Sequence, residues 1–315
     1  MDYDPIKKVK IDEMSVQPNL PDYDRAREEF KWEDVKKELD WFENGGINIA
    51  YEVVDRHLGT PLRDKTALYW EGTEGETEAY SFHDLSRLSN RFANVLRKLG
   101  VKKGDRIFTY MDRIPEQYIG LLGALKAGGV IGPLFSAFGP DAVKDRVGDC
   151  EAKVLVTSPK LVGTVHEILG ELPALETIII VNKRNTPYDF KYKEVSYESL
   201  MNEADDEFEI EMTDKEDNAI IHYTSGTTGK PKGVVHVHEA VVGHYATGKY
   251  VLDLQTEDIY WCTADPGWVT GTSYGLFAPW SNGISQVVYE GAFGAGAWYR
   301  VIEKYKVSVW YTAPT

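Results

Sequence analysis

From Ser81 onward the chain alternates between two hydrophobic patterns. Ser81 and Asp84 have the spacing of a capping box, and Leu85, Leu88, Phe92, Val95, Leu96 and Leu99 recur on one helical face that Gly100 closes. An amphipathic helix is predicted there. Past the Gly104-Asp105 turn, the apolar run RIFTYM reads as a strand. A helix opened by Pro115, the strand VIGPLF, a helix around AVKDRVGDC, and the strands KVLVT and TIIIV with a further helix between them follow. Strands that are apolar throughout, separated by helices, are what a parallel sheet covered on both faces requires. The expected fold class is α/β, with layered, largely parallel sheets flanked by helices.

The pattern weakens in two places. The first seventy or so residues mix proline, acidic side chains and scattered aromatics (DYDRAREEFKWEDVKKELDWF), which predicts short helices and irregular chain wrapped on something larger. Between Asn182 and Asn218 the chain turns polar and acidic, a surface connection with room for one helix. Alternation then resumes: NAIIHY, a glycine-rich loop, a helix near Glu239 to Leu252, IYWC, a helix after Gly271, QVVY, a helix around Trp298 to Tyr305, and VSVWY. This divides the chain into a wrapping segment (1–75), a first α/β subdomain (76–190) and a second (215–315).

Charge and cysteine content narrow the chemistry. Fifty acidic against thirty-five basic residues leave a formal charge of −15, so phosphate backbones and anionic membranes are repelled on average, and neither nucleic acid nor membrane is an expected partner. Cys150 and Cys262 are too few for a disulfide framework and lack the spacing of a metal or redox motif. The N-terminal MDYDPIKKVKIDEM has no signal-peptide core, and the apolar stretch Tyr118 to Phe135 is interrupted by Lys126 and by glycines. A cytoplasmic protein with reduced thiols is expected.

The densest chemistry lies in YTSGTTGKPKG, Tyr223 to Gly233, directly after a strand. Glycines permit close backbone approach, hydroxyls and N–H groups point at phosphate oxygens, and two lysines neutralise charge, with no need for a metal-binding side chain. A Walker A loop needs four residues between its Gly and its Gly-Lys pair. Only two separate Gly226 from Gly229, and Pro231 stands where that motif places its hydroxyl. On composition alone, a serine-, threonine- and glycine-rich surface turn reads much the same way.

The full string resembles the signature loop of the adenylate-forming superfamily of acyl-CoA synthetases, luciferases and nonribosomal adenylation domains. The likeness extends from about Phe30 to Thr315. Tyr260 to Gly271 (YWCTADPGWVTG) and Tyr311 to Thr315 (YTAPT) are similar to the AMP-forming acetyl-CoA synthetases within it. The resemblance implies the N-terminal part of that family's large domain, without its small C-terminal domain. It implies acetate or another short carboxylate, ATP with Mg2+, and coenzyme A as the molecules bound. Thr224, Ser225, Gly226, Thr227, Thr228, Gly229, Lys230 and Lys232 would hold the phosphates, with Thr224 and Lys232 in catalytic roles. Trp268, Val269 and Thr270 would line the acyl pocket, and Thr270 and Phe135 would face coenzyme A. A tryptophan beside a β-branched valine leaves little volume for an acyl tail. Acetate and propionate would then differ by only about 1–3 kcal/mol.

Some features depart from that pattern. Phe135-Ser136-Ala137-Phe138 stands where many acetyl-CoA synthetases have Phe-Gly-Gly-Phe, Ser158-Pro159-Lys160 replaces an arginine-rich coenzyme A segment, and Gly294 replaces an asparagine. His236 and His238 lie two apart, as on one strand face, but no third ligand accompanies them. With His222 they are expected to pack and hydrogen-bond around the phosphate loop. The family's adenine and ribose segments, its pocket-closing tryptophan and its C-terminal lysine are not among the 315 residues. By themselves these residues are expected neither to adenylate acetate nor to form acetyl-CoA, and exposed apolar surface is expected to favour self-association. The competing reading is a non-catalytic nucleotide- or pyrophosphate-binding fragment.

Overall fold

The computed structural model describes residues 9–224 and 229–313. Ser225, Gly226, Thr227 and Thr228 lie outside the described residues, as do Pro314 and Thr315. Twelve strands are described: β1 (Thr66–Glu71), β2 (Thr77–Ser81), β3 (Arg106–Tyr110), β4 (Val130–Leu134), β5 (Val154–Thr157), β6 (Thr177–Ile180), β7 (Glu194–Ser196), β8 (Asn218–Thr224), β9 (Lys232–Val237), β10 (Ile259–Cys262), β11 (Ser285–Tyr289) and β12 (Val309–Tyr311). They form a seven-stranded sheet ordered β7-β6-β5-β3-β4-β8-β9 and a five-stranded sheet ordered β12-β10-β11-β1-β2. All pairings are parallel except the hairpins β1–β2 and β8–β9. The chain trades strands between sheets, so that residues 76–190 and residues 215–315 each contribute to both.

The α/β expectation holds, and the helix Phe82–Lys98 begins as its sequence implies. Ser81 Oγ accepts the Asp84 N–H at 3.0 Å while the Asp84 carboxylate accepts the Ser81 N–H at 3.0 Å, so two orphan donors of the first turn are satisfied reciprocally. Its apolar face packs on the helix Pro115–Lys126, which is buried almost all round and therefore carries apolar residues on every side. Four strands, β1, β2, β7 and β9, are not among the predicted ones. β1 and β2 turn the end of the wrapping segment into a hairpin, β2 being an edge strand with a polar sequence. β7, only three residues long, lies inside the polar stretch after Asn182 and is too short to show a period. β9 carries Val234 and Val235 exposed on the free edge of its sheet, and Trp310 is exposed on the edge strand β12. Among the described residues no helix is long and apolar enough to cross a membrane.

The N-terminal segment is integrated by buried polar contacts. Asn48 donates to the Leu125 carbonyl at 3.0 Å, and the Ile49 N–H donates to His238 Nδ1 at 3.1 Å. Lys126 is fully buried at the end of its helix, with Nζ 2.8 Å from Asp55 Oδ1, 2.8 Å from Asn90 Oδ1 and 3.3 Å from the Ser86 carbonyl. One ammonium thus ties residue 55 to both central helices, and burial lowers its affinity for the proton while Asp55 opposes that loss. Removing one partner of a buried ion pair strands the other charge.

Two outcomes follow. Lys126→Met is expected to lower the unfolding free energy by about 3–5 kcal/mol in urea denaturation. A loss well under 1 kcal/mol would mean that the pair is replaceable by packing. The second outcome concerns pH. Burial pushes His57, His238 and His244 down to about 4 and His222 down to about 3, against an unfolded value near 6.5. As pH falls below about 6.5, the unfolded chain takes up protons that the folded chain refuses, so stability is lost. Glu52 and Asp265, raised by burial to about 8 and about 6, and Glu116, also raised by burial, act in the opposite direction. Four groups outweigh three, and the unfolding temperature is expected to fall between about pH 6.5 and 4.5 in a calorimetric series. A flat or rising trend would contradict this balance.

Candidate functional site

The phosphate loop hangs from the β8–β9 hairpin. The antiparallel register sets Thr224 directly opposite Lys232 at the open end of the ladder, and His222 opposite Val234 two residues earlier. Thr224, Lys230 and Lys232 are exposed, and Gly229 takes a positive φ of 88°, a conformation that costs glycine little. The other four loop residues named from the sequence, Ser225 to Thr228, lie outside the described residues.

Successive side chains of a strand point to opposite faces, and β8 is anchored on both. On one face the Tyr223 hydroxyl donates to Asp149 Oδ2 at 2.7 Å and lies 2.8 Å from Cys150 Sγ, which binds it to the end of the helix Pro140–Asp149. Arg146 of that helix lies 4.3 Å above the Phe138 ring and 5.7 Å from the Tyr223 ring. On the other face, His222 Nε2 lies 2.7 Å from Thr272 Oγ1, with both side chains buried. Burial, reinforced by the neighbouring His236 and His244, keeps this imidazole neutral.

Thr272 belongs to a helix assembled from three pieces: Val269–Thr272, a π-helical turn Ser273–Phe277, and Ala278–Ser281. Isolated π turns are frequent at functional sites. The helix is entered through a tight approach. Asp265 Oδ1 accepts the Gly267 N–H at 2.8 Å, the Asp265 carbonyl accepts the Trp268 N–H at 2.9 Å, and burial raises the carboxyl to about 6 despite Arg113 nearby. A β-carbon on Gly267 would stand 2.2 Å from the Phe135 backbone nitrogen, and one on Gly271 2.0 Å from the Asp265 carbonyl oxygen. Backbone lies against backbone at both places, and no larger residue fits.

Trp268, Val269 and Thr270 stand together at this entrance, Trp268 and Val269 each nearly half exposed. The Trp268 ring packs 5.8 Å from Phe135 and 6.0 Å from Phe138, which are 5.7 Å apart, beyond the C-terminal end of β4. Phe135, assigned to coenzyme A from the sequence, is thus a neighbour of Trp268. His238 departs from its expected position around the loop: its Nδ1 is committed to the amide of Ile49. Gly294 caps the helix Ala295–Tyr305. Ser158, Pro159 and Lys160 line a separate cavity of about 470 Å3 at the C-terminal ends of β3, β5 and β6. Its cations are already paired: Lys160 with Asp112 at 2.7 Å, Lys183 with Glu78 and Glu116 at 2.9 Å, and Arg184 with Glu290 at 2.8 Å. Among the described residues no cluster of three His, Cys, Asp or Glu side chains is placed to hold a metal ion.

Arg146, Tyr223, His222 and Thr272 were not singled out as site residues by the loop motif. Only the proximity of His222 to the glycine-rich string hinted at a role, since its partner lies fifty residues away.

Comparison with known proteins gives a consistent picture. The family model described as AMP-binding enzyme matches residues 55–315. An acetyl-coenzyme A synthetase of Bacillus subtilis is 46% identical over 298 residues, covering 94% of this chain and 51% of that protein. One from Methanothrix thermoacetophila is 40% identical over 290 residues, covering 87% and 44%. The crystal structure of a Brucella canis acyl-CoA synthetase superposes with a TM-score of 0.84 at 29% identity, over 91% of this chain and 51% of that one. The chain spans about half the length of the curated relatives it matches. It belongs to the AMP-binding enzyme family.

Proposed function

We propose that the whole protein activates a short carboxylate, acetate in the first place, with ATP and passes the acyl group to coenzyme A. The observation that carries this reading is the buried contact between β8, which leads into the phosphate loop, and the helix that presents Trp268, Val269 and Thr270. It ties the strand that leads into the loop to the helix that opens at Trp268, an arrangement that supports a reaction joining a carboxylate to a nucleotide. The names of the relatives support the same chemistry.

In the first step a carboxylate oxygen bonds to the α-phosphorus of ATP while the bond to pyrophosphate breaks. In the second the thiol sulfur bonds to the acyl carbon and AMP departs with the C–O electron pair. Mg2+ arrives with ATP. Thr224, Ser225, Gly226, Thr227, Thr228, Gly229, Lys230 and Lys232 hold the phosphates in this reading, and exposed ammonium and hydroxyl groups at the hairpin mouth suit such an anion. Trp268, Val269 and Thr270 bound the acyl group, and Thr270 and Phe135 face the incoming thiol.

Calorimetric titration tests the grip. Pyrophosphate and ATP are expected to bind the 315-residue chain at least about tenfold more tightly than AMP, and Lys232→Ala to weaken pyrophosphate by about tenfold, some 1.4 kcal/mol. Equal affinities for AMP and pyrophosphate, or an unaffected Lys232→Ala variant, would remove the loop from the reading. As the family resemblance implies, the same chain is expected to show no acetate-dependent exchange of pyrophosphate into ATP. Measurable exchange would overturn that expectation.

A further inference from the structure

We propose that Arg113 is a positioning residue for the recess at Trp268, riveting the strand ends from which the Trp268 turn departs and supporting with its charge the Asp265 carboxylate that holds that turn. The use of the recess for an acyl group rests on the functional reading above, whereas the placing of the indole stands apart from it.

Residue 113 joins the two sheets at the C-terminal ends of their strands. It follows β3 of the seven-stranded sheet, and its guanidinium donates to carbonyls just past two strands of the five-stranded sheet: Thr263 at 3.2 Å after β10, and Glu290 at 3.3 Å and Gly291 at 2.8 Å after β11. Its own carbonyl accepts the indole N–H of Trp70, in β1, at 3.0 Å. Among the described residues no strand pairing links the two sheets, so side chains must set their mutual position. Carbonyls beyond the end of a ladder still need donors. Five N–H groups in a rigid fork serve several of them at once, where a lysine ammonium is a single point charge on a flexible stem.

The Trp268 turn starts from this rivet. Thr263 lies two residues before Asp265, whose Oδ1 accepts the Gly267 N–H and whose carbonyl accepts the Trp268 N–H, and Gly267 is pressed on the Phe135 backbone. The indole therefore takes its place from Thr263 through a short segment with little slack, and rests against Phe135 and Phe138. Asp265 is buried and is the one carboxylate among residues 263–268. The titratable and charged groups around it are Arg113 and Asp112 from the segment after β3, Tyr118 from the helix Pro115–Lys126, and Cys262 at the end of β10. Asp112 is itself paired with Lys160 at 2.7 Å. Burial raises the Asp265 carboxyl to about 6, and the Gly267 N–H and Arg113 oppose the rise. Without the guanidinium the carboxyl takes up its proton at higher pH, and once neutral it is a weaker acceptor for the Gly267 amide.

Fluorine NMR of the 315-residue chain labelled with 5-fluorotryptophan, followed from about pH 5 to 8, tests this. The Trp268 resonance is assigned through Trp268→Phe, and the other tryptophans report whether each variant is folded. In the wild type the Trp268 resonance is expected to titrate with a midpoint of about 6, and in Asp265→Asn that titration is expected to vanish. Arg113→Met is expected to displace the resonance and to raise the midpoint by about one pH unit, as loss of an opposite charge does. Arg113→Lys keeps the charge without the fork, so the resonance is expected to be displaced while the midpoint stays within about half a unit of the wild type. A wild-type resonance and midpoint in Arg113→Met, or a titration that survives in Asp265→Asn, overturns the positioning. If Arg113→Met does not fold, Arg113→Lys decides, an undisplaced Trp268 resonance there overturning the rivet. Sodium acetate added at neutral pH tests the functional reading separately: acetate that leaves the wild-type Trp268 resonance in place overturns the acyl role of the recess, and the pH curves decide the positioning whatever acetate does.

Discussion

The site depends on one strand being held from both sides. β8 leads into the glycine-rich string, and its hairpin partner β9 is the free edge of the sheet, so β8 is the better-held strand of the hairpin. Tyr223 is tied to Asp149 on one face and His222 to Thr272 on the other, while β4 pairs with β8 at Ile131 and Ile220. β8 is thereby pinned in the sheet plane and on both faces as far as Tyr223, one residue before the strand's last described position.

The same two anchors close a circuit of contacts. Tyr223 leads through Arg146 to Phe138, Phe138 packs on Trp268, and Trp268 opens the helix whose Thr272 returns to His222. Only the return link is a buried hydrogen bond; the rest is aromatic and cation–π packing, worth on the order of 1 kcal/mol per contact. The His222–Thr272 bond fixes the strand to the helix, and the packing sets the outline around Trp268. The N-terminal segment supports the arrangement from behind, since Asn48, Ile49 and Asp55 reach respectively Leu125, His238 and Lys126 through buried polar contacts. It is part of the scaffold and not only a wrapper.

Much of this was legible in the sequence where the signal is local. The Ser81–Asp84 box, the apolar strands β3 to β6 and the glycine-rich string announce themselves over a few consecutive residues. β2 and β7 did not, because an edge strand needs no apolar run and three residues have no period. Within the site, the loop and the Trp268–Thr270 segment were readable as strings. Their connection was not: His222 and Thr272 are fifty residues apart, and a histidine paired with a threonine has no spacing rule. His238, two residues from His236, was assigned to the loop from proximity alone, and burial of the Ile49 amide claimed it instead.

The recess itself makes a further point about selectivity. Trp268 and Val269 remain nearly half exposed, so the wall they form is not a closed core cavity whose volume would reject an extra methylene by overpacking. Discrimination then depends on how firmly the wall is held in place. Hydrogen bonds from Gly267 and Trp268 to Asp265, and the two glycine approaches, fix the backbone, whereas the indole packs against Phe135 and Phe138. A wall rigid in its main chain but aromatic at its surface separates chain lengths by shape alone, in the range of about 1–3 kcal/mol per methylene. Under the proposed function such a margin would favour a short acid without excluding its next homologue. Selectivity would then rest on the Asp265–Thr272 backbone as much as on the Trp268 indole.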